Sequence, residues 1–222
     1  MLKNKPSIFS KVFKFVLLIA VGILLTFVLI SNGVPKWIVF LIVLALYFSV
    51  SILWPMYIIY KSTSLRAIDR YIASNYKKPI FGYSYALAHG DKRDVENALK
   101  RIMNTYQQQD MADIYGANLA LFQNNPKHLL EHAEKINGQE YKDYYLGHTY
   151  VMNGNFEKAN EHLAKLHTPW MIHSLKAYAA HKRGNRVTFR QEADQSIKSA
   201  IGMQRFVMHH TMNRFENGDF NI

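Results

Sequence analysis

The chain has 222 residues, 49% of them apolar, with a formal net charge of +11 and no cysteine. That length leaves room for a membrane hairpin and one further domain of about 160 residues, and excludes two large independent domains. The missing cysteine excludes disulfide frameworks, thiolate metal sites and a cysteine nucleophile.

The first apolar segment runs from Val12 to Val34 with Lys14 as its only charge, the length needed to cross a hydrocarbon core of about 30 Å. After Ser31-Asn32-Gly33-Val34-Pro35-Lys36, whose Asn-Gly and Pro mark a tight turn, residues 37–60 carry no charge, with Trp37, Trp54, Tyr57 and Tyr60 near the ends. Aromatics at those positions suit the membrane interface. Residues 1–60 therefore read as a two-span hairpin anchor. A cleaved signal peptide and a buried core helix are the rival readings. The first run is too long for a signal-peptide core and lacks a small-residue cleavage pair after it. The second stays charge-free longer than globular helices usually do.

Orientation follows from basic residues close to the spans. Lys3, Lys5, Lys11 and Lys14 precede the first, and Lys61, Arg66, Arg70, Lys77 and Lys78 follow the second, against Lys36 alone between them. The positive-inside rule places both termini in the cytoplasm, and the same cations face anionic lipid head groups. Compact architecture and a Lys- and Asn-rich composition suit a bacterial plasma membrane.

From residue 61 on, the pattern changes to helical segments about a dozen residues long, separated by short polar turns. Residues 61–78 form a linker helix and 79–222 a helical domain, with 201–215 as its cap. Turn signals recur at Gly90-Asp91, Asn124-Asn125, Gly154-Asn155, Gly184-Asn185 and Gly218-Asp219, spaced 34, 30, 30 and 34 residues apart. A period in the low thirties built of two helices and two turns is the mark of stacked helical hairpins, none of which buries its apolar face alone.

The string Leu146-Gly147-His148-Thr149-Tyr150, then Gly154-Asn155-Phe156, Ala159 and Leu163, resembles the tetratricopeptide pattern; Asp143 stands where that pattern carries tryptophan. The resemblance covers residues 79–200 and implies an all-α, tetratricopeptide-like antiparallel solenoid behind the transmembrane hairpin. A non-repetitive helical bundle is the alternative. The resemblance further implies a groove lined by first helices that takes a protein or peptide, with Tyr83, His89, Asp113, Gln123, Asp143, Tyr150, Asn153, Lys176 and Arg183 as its candidates. Ala86, Gly116, Ala120 and Leu146 share the register.

Charge is uneven along this domain. Residues 110–161 hold eight acidic residues against four lysines, whereas 176–214 hold eight basic residues against Glu192 and Asp194. A basic patch of Lys182, Arg183, Arg186, Arg190, Lys198 and Arg205 suits an acidic partner or the membrane surface. Nucleic acid is disfavoured, because no recognised binding motif accompanies the charge.

One string carries chemistry. His128-Leu129-Leu130-Glu131-His132 matches the H-x-x-E-H of zinc peptidases, but in hairpin register it lies on a second helix whose leucines pack inward. No Gly-rich phosphate loop or nucleophile elbow accompanies it. The expectation is a membrane-anchored scaffold or adaptor without catalytic residue, metal or cofactor. An accessory subunit of a transporter or envelope complex acting through its spans is the alternative, and a membrane-tethered zinc hydrolase the third reading.

Overall fold

A computed structural model describes residues 8–218; within 8–15 it describes the backbone, and of the side chains only Phe13. Lys3, Lys5, Asp219 and the last three residues lie outside the described residues, as do the side chains of Lys11 and Lys14. Among the described residues the protein is all-α, with no strand.

Helix α1 (Ile8–Ser31) ends in a turn at left-handed Gly33 (φ 78°) and packs against α2 (Lys36–Phe48). A π-helical segment, Ser49–Leu53, joins α2 to α3 (Trp54–Tyr60) without a break. Pro55 has no N–H to offer the preceding turn, and the widened π turn sits where the α ladder would lack that donor. Lys36–Tyr60 is long and apolar enough to cross a membrane and lies almost wholly exposed. The apolar stretch Val16–Ser31 within α1 is shorter than that requirement. A single described helix therefore meets the length test, where the sequence reading had two.

The second apolar helix runs directly into the helical domain. Ile58 is buried with Ile68 and Ile72 of α4 (Leu65–Asn75), Tyr85 of α5 (Pro79–His89) and Phe206 of α13 (Gly202–Asn217), so its last turn belongs to the domain core. Between them, α6 (Lys92–Thr105), α7 (Gln109–Phe122), α8 (Pro126–Ala133), α9 (Gln139–Met152), α10 (Phe156–Leu163), α11 (Pro169–Lys182) and α12 (Arg186–Ser199) follow with short turns. Each helix from α5 to α10 packs on the next, and α11 packs on α9 and α12 while barely touching α10.

Polar residues set the helix ends. Asn125, Asn155 and Asn185 cap α8, α10 and α12 by accepting from the N–H three residues on, and Asp91 and Asp94 form a reciprocal capping box on α6. Asn124, Gly154 and Gly184 take the left-handed conformation just before three of those caps. Gly90 does not: its φ is −94°. The thirty-residue rhythm of 124, 154 and 184 is thus a backbone repeat.

Candidate functional site

Two places gather the residues that the domain could offer a ligand: the face shared by α5, α7, α9 and α11, and a cleft between the hairpins α9–α10 and α11–α12.

Helix α13 lies over the first. Its early residues Met203, Gln204, Val207 and Met208 line a cavity of about 240 Å³ with Met111, Tyr115, Tyr141, Tyr144 and Trp170. Further along, Val207, Met208, Thr211 and Phe215 line a smaller void of about 40 Å³ with Asn118, Leu121, Tyr144, His148 and Ser174. The first turns of α13 thus share a cavity with the first turns of α7, α9 and α11, and its later residues share the void with their middles. Both ends are pinned. Gly202 donates to the Ser62 carbonyl (2.8 Å) beside the end of α3. Arg214 donates to the carbonyls of Leu87 (2.7 Å), Ala86 (3.3 Å) and Gly90 (2.6 Å) at the C-terminal end of α5. Phe215 packs against Tyr178 and His181.

His148 is the odd residue here. It is 1% exposed, held between the rings of Tyr144 (4.6 Å) and Tyr178 (5.0 Å), and neither ring nitrogen has a hydrogen-bond partner among the described residues. Burial pushes its pKa down to about 3, so the imidazole is neutral at physiological pH.

The sequence-predicted groove residues divide between several environments. Tyr83 is buried, edge-on to Tyr115, and lines the space under α13. Asp113 is buried between α7 and α8, accepting from Gln109 (2.6 Å) with His132 Nδ1 at 3.0 Å. Asp143 repeats this thirty residues on, with Gln139 and His162 both at 2.7 Å and Lys165 at 3.6 Å. Burial works to raise the Asp143 pKa, but the hydrogen bonds from Gln139 and His162 and the Lys165 charge bring it below the usual range. Tyr150 stacks on His162. His89 meets Asp69 of α4 at 2.7 Å. Gln123, Asn153 and Arg183 are exposed at the ends of α7, α9 and α11, in one row with His89 at the end of α5. Ala86, Gly116 and Ala120 are buried and Leu146 is half-buried against the core.

Lys176 and Arg183 belong to the second place. The light contact of α10 with α11 leaves a cleft of about 360 Å³ whose base includes Val151, Leu163, Leu175 and Ala179 and whose rim carries Asn160, Lys176 and Arg183. The Arg183 guanidinium sits 4.0 Å over the Phe156 ring. Elsewhere in the basic patch, Arg190 pairs with Glu216, Lys198 pairs with Asp194, Arg205 donates to the Lys198 carbonyl, and burial lowers the pKa of Lys182. Arg186 is exposed.

The H-x-x-E-H string is split. His128 and Glu131 point outward, 60% and 51% exposed, while His132 turns inward to Asp113. No group of three potential metal ligands converges among the described residues.

Of the residues under α13, sequence reasoning named Tyr83 and missed His148, Ser174, Tyr115, Tyr141 and Tyr144. One signal was available: Tyr144 and Ser174 stand thirty residues apart and their hydroxyls meet at 2.9 Å, the same interval as the turns. No family model, no curated protein and no solved structure matches this chain.

Proposed function

We propose that this protein is a membrane-anchored adaptor, a binding protein rather than an enzyme. In this reading residues 12–34 and 37–60 cross the plasma membrane as a hairpin with both termini in the cytoplasm. A tetratricopeptide-like array of helical hairpins then stands at the inner face and binds a protein segment. The observation that carries it is the burial of Ile58 in the domain core, with Gly202 hydrogen-bonded to Ser62. An apolar helix whose last turn is built into a folded domain holds that domain at one height and orientation, as a display platform requires. Exposed Lys61, Arg66 and Arg70 lie just beyond this turn, suited to anionic lipid head groups.

The binding surface is the cleft at Asn160, Lys176 and Arg183. Glu192 also lines the cleft but is engaged by His173, which leaves Lys176 and Arg183 as the charges above an apolar floor, suited to an acidic segment carrying one bulky apolar anchor. A photoreactive residue at Asn160 tests this in cells, with Lys100 on the opposite hairpin as control. The expected result is one partner captured at Asn160 and not at Lys100, with capture lost when Lys176→Glu and Arg183→Glu are combined. Equal capture at both positions, or capture indifferent to the charge reversal, would defeat the proposal.

A second reading, an accessory subunit acting through its spans, is favoured by the open apolar groove of about 720 Å³ between α1 and α2, where Gly22 and Thr26 leave room for another helix. Replacing residues 1–60 with an unrelated hairpin separates the two: adaptor binding persists, and span-dependent assembly fails.

A further inference from the structure

Two spaces lie side by side beneath α13 and share a wall. The 240 Å³ cavity and the 40 Å³ void share Tyr83, Asn118, Tyr144, Val207 and Met208, and no Asp, Glu, Lys or Arg among the described residues lines either. Native interiors are otherwise close-packed, and a cavity of about 240 Å³ that reaches the surface at Tyr141 has room for a small flat ring. Its walls are flat rings and thioethers, surfaces that receive another ring by offset or edge-on stacking. Burial raises the phenols of Tyr115 and Tyr144 to about 12, so these walls stay uncharged.

The cavity also has a direction. Its outer rim is formed by Met203, Gln204, Met111, Tyr141 and Trp170, residues in the first turns of their helices, and Tyr141 is 40% exposed. Met203 follows Gly202, which touches the end of the apolar helix at Ile59 and Ser62. In the wall of the adjoining 40 Å³ void stands His148, with two ring nitrogens and no partner for either among the described residues. A neutral imidazole presents one donor and one acceptor, and leaving both unmet in a dry interior is costly. Wet rim, apolar aromatic walls and a polar group beside them define the ligand that fits.

We infer that this cavity binds an uncharged, flat-ringed amphiphile that enters from the bilayer. Its ring lies between Tyr83, Tyr144 and Trp170, an oxygen on the ring accepts the His148 N–H, and its apolar tail remains at the Met203 rim. Quinone-like and phenolic lipids share this chemistry. A charged head group does not, because the cavity offers it no counter-ion. A phospholipid acyl chain fits the walls but leaves His148 unmet. One water in the inner void would serve His148 and leave the larger cavity empty. The inference rests on the membrane reading of Lys36–Tyr60.

The test uses the full chain in nanodiscs, with Trp37→Phe and Trp54→Phe so that Trp170 is the only tryptophan left of three. Co-elution of protein with the discs, scored before any ligand is added, judges the membrane reading independently. Decylubiquinone, a neutral ringed amphiphile, is then titrated while Trp170 fluorescence is followed. Saturable quenching is expected. Val207→Phe, which grows a ring into both spaces, should abolish it, and His148→Phe should weaken it about tenfold, the value of one lost hydrogen bond. Equal quenching in all three proteins would mean simple partition into the bilayer and would overturn the inference, as would no quenching in the parent. Loss in Val207→Phe with no change in His148→Phe would overturn the polar end of the assignment. Saturable quenching by a brominated-acyl phospholipid, with none by the quinone, would overturn the ligand class. Melting temperatures close to or above the parent's show that both variants fold.

Discussion

The junctions within the hairpins α7–α8 and α9–α10 and the face beneath α13 handle polar groups in opposite ways. At the junctions every partner is supplied, and supplied twice. Gln109, Asp113 and His132 in one hairpin are matched thirty residues on by Gln139, Asp143 and His162 in the next. Asp110 accepts from Asn137, and thirty residues later Glu140 accepts from the backbone of His167 and Thr168, which together with the Thr168 hydroxyl holds its carboxyl below the usual pKa. Beneath α13 lies a cavity of about 240 Å³, and beside it an imidazole with no hydrogen-bond partner among the described residues. Unmatched polarity in a native interior calls for a specific cause. The contrast teaches that repetition here maintains the scaffold, and that the space beneath α13 lies outside that repetition.

The strongest way to break the comparison is to unseat the roof. Gly202 has φ 57°, and a Cβ there would lie 1.9 Å from the Ile59 carbonyl oxygen, a backbone atom that moves only if the end of α3 moves. Gly184 has a similar φ of 72° but open space around its missing Cβ. Gly184→Ala should therefore cost only the left-handed strain, about 1 kcal/mol, while Gly202→Ala should cost about 3–5 kcal/mol. Thermal and denaturant unfolding of the full chain in detergent measures both. Equal losses would mean that the contact between α13 and the apolar helix contributes nothing to stability.

A smaller effect tests the junctions. Asp143 accepts from two side chains and is 2% exposed, so Asp143→Ala should destabilise by about 2–4 kcal/mol by stranding its partners. The third hairpin inverts the pair: His173 stands on the first helix and Glu192 on the second, at 2.7 Å with 30% and 23% of their side chains exposed. Solvent screens that pair, and Glu192→Gln should cost under about 1 kcal/mol. Similar values for the two variants would show that burial does not set the worth of these pairs.

Much of this scaffold was legible and its roof was not. The all-α class followed from apolar periodicity, and the turns at Asn124, Gly154 and Gly184 from residue types that tolerate positive φ. The positions of Asp113 and Asp143 in register suggested a groove; their burial depends on histidines nineteen residues later, a tertiary pairing that local pattern does not reveal. Asn153 and Arg183 did fall on exposed helix ends, because turns must be solvated. Helix α13 was foreseen as a cap over 201–215. Nothing local showed which face it would cover, since it has apolar residues on several sides: Phe206 toward α4 and α5, Val207 and Met208 toward the cavity. The length of the first apolar run was read as a span, yet its described apolar part, Val16–Ser31, falls short of one.

The finest difference between the two regions lies in their response to acid. His148 titrates near 6.5 when unfolded and about 3 when folded, so between those values the unfolded chain binds a proton that the native state refuses. Stability from this residue is complete above pH 6.5 and is lost as pH falls, at about 1.4 kcal/mol per pH unit. Asp143 and Glu140 act lower down. Their folded pKa values are depressed, so their contribution persists until pH falls below the ordinary carboxylate range and is lost as they protonate in the native state. Replacing His148 with Phe should raise stability near pH 7.5 by about 1–3 kcal/mol, because an apolar ring there loses no bond and leaves no buried polar group unmet. It should flatten the slope between pH 6 and 4, where His210, lowered to about 4, still contributes a smaller share. Unfolding free energies measured across pH 3.5–7.5 for parent and variant decide the matter. Parallel curves would mean that His148 already accepts its proton in the native state, and that the space beneath α13 is wetter than its apolar walls imply.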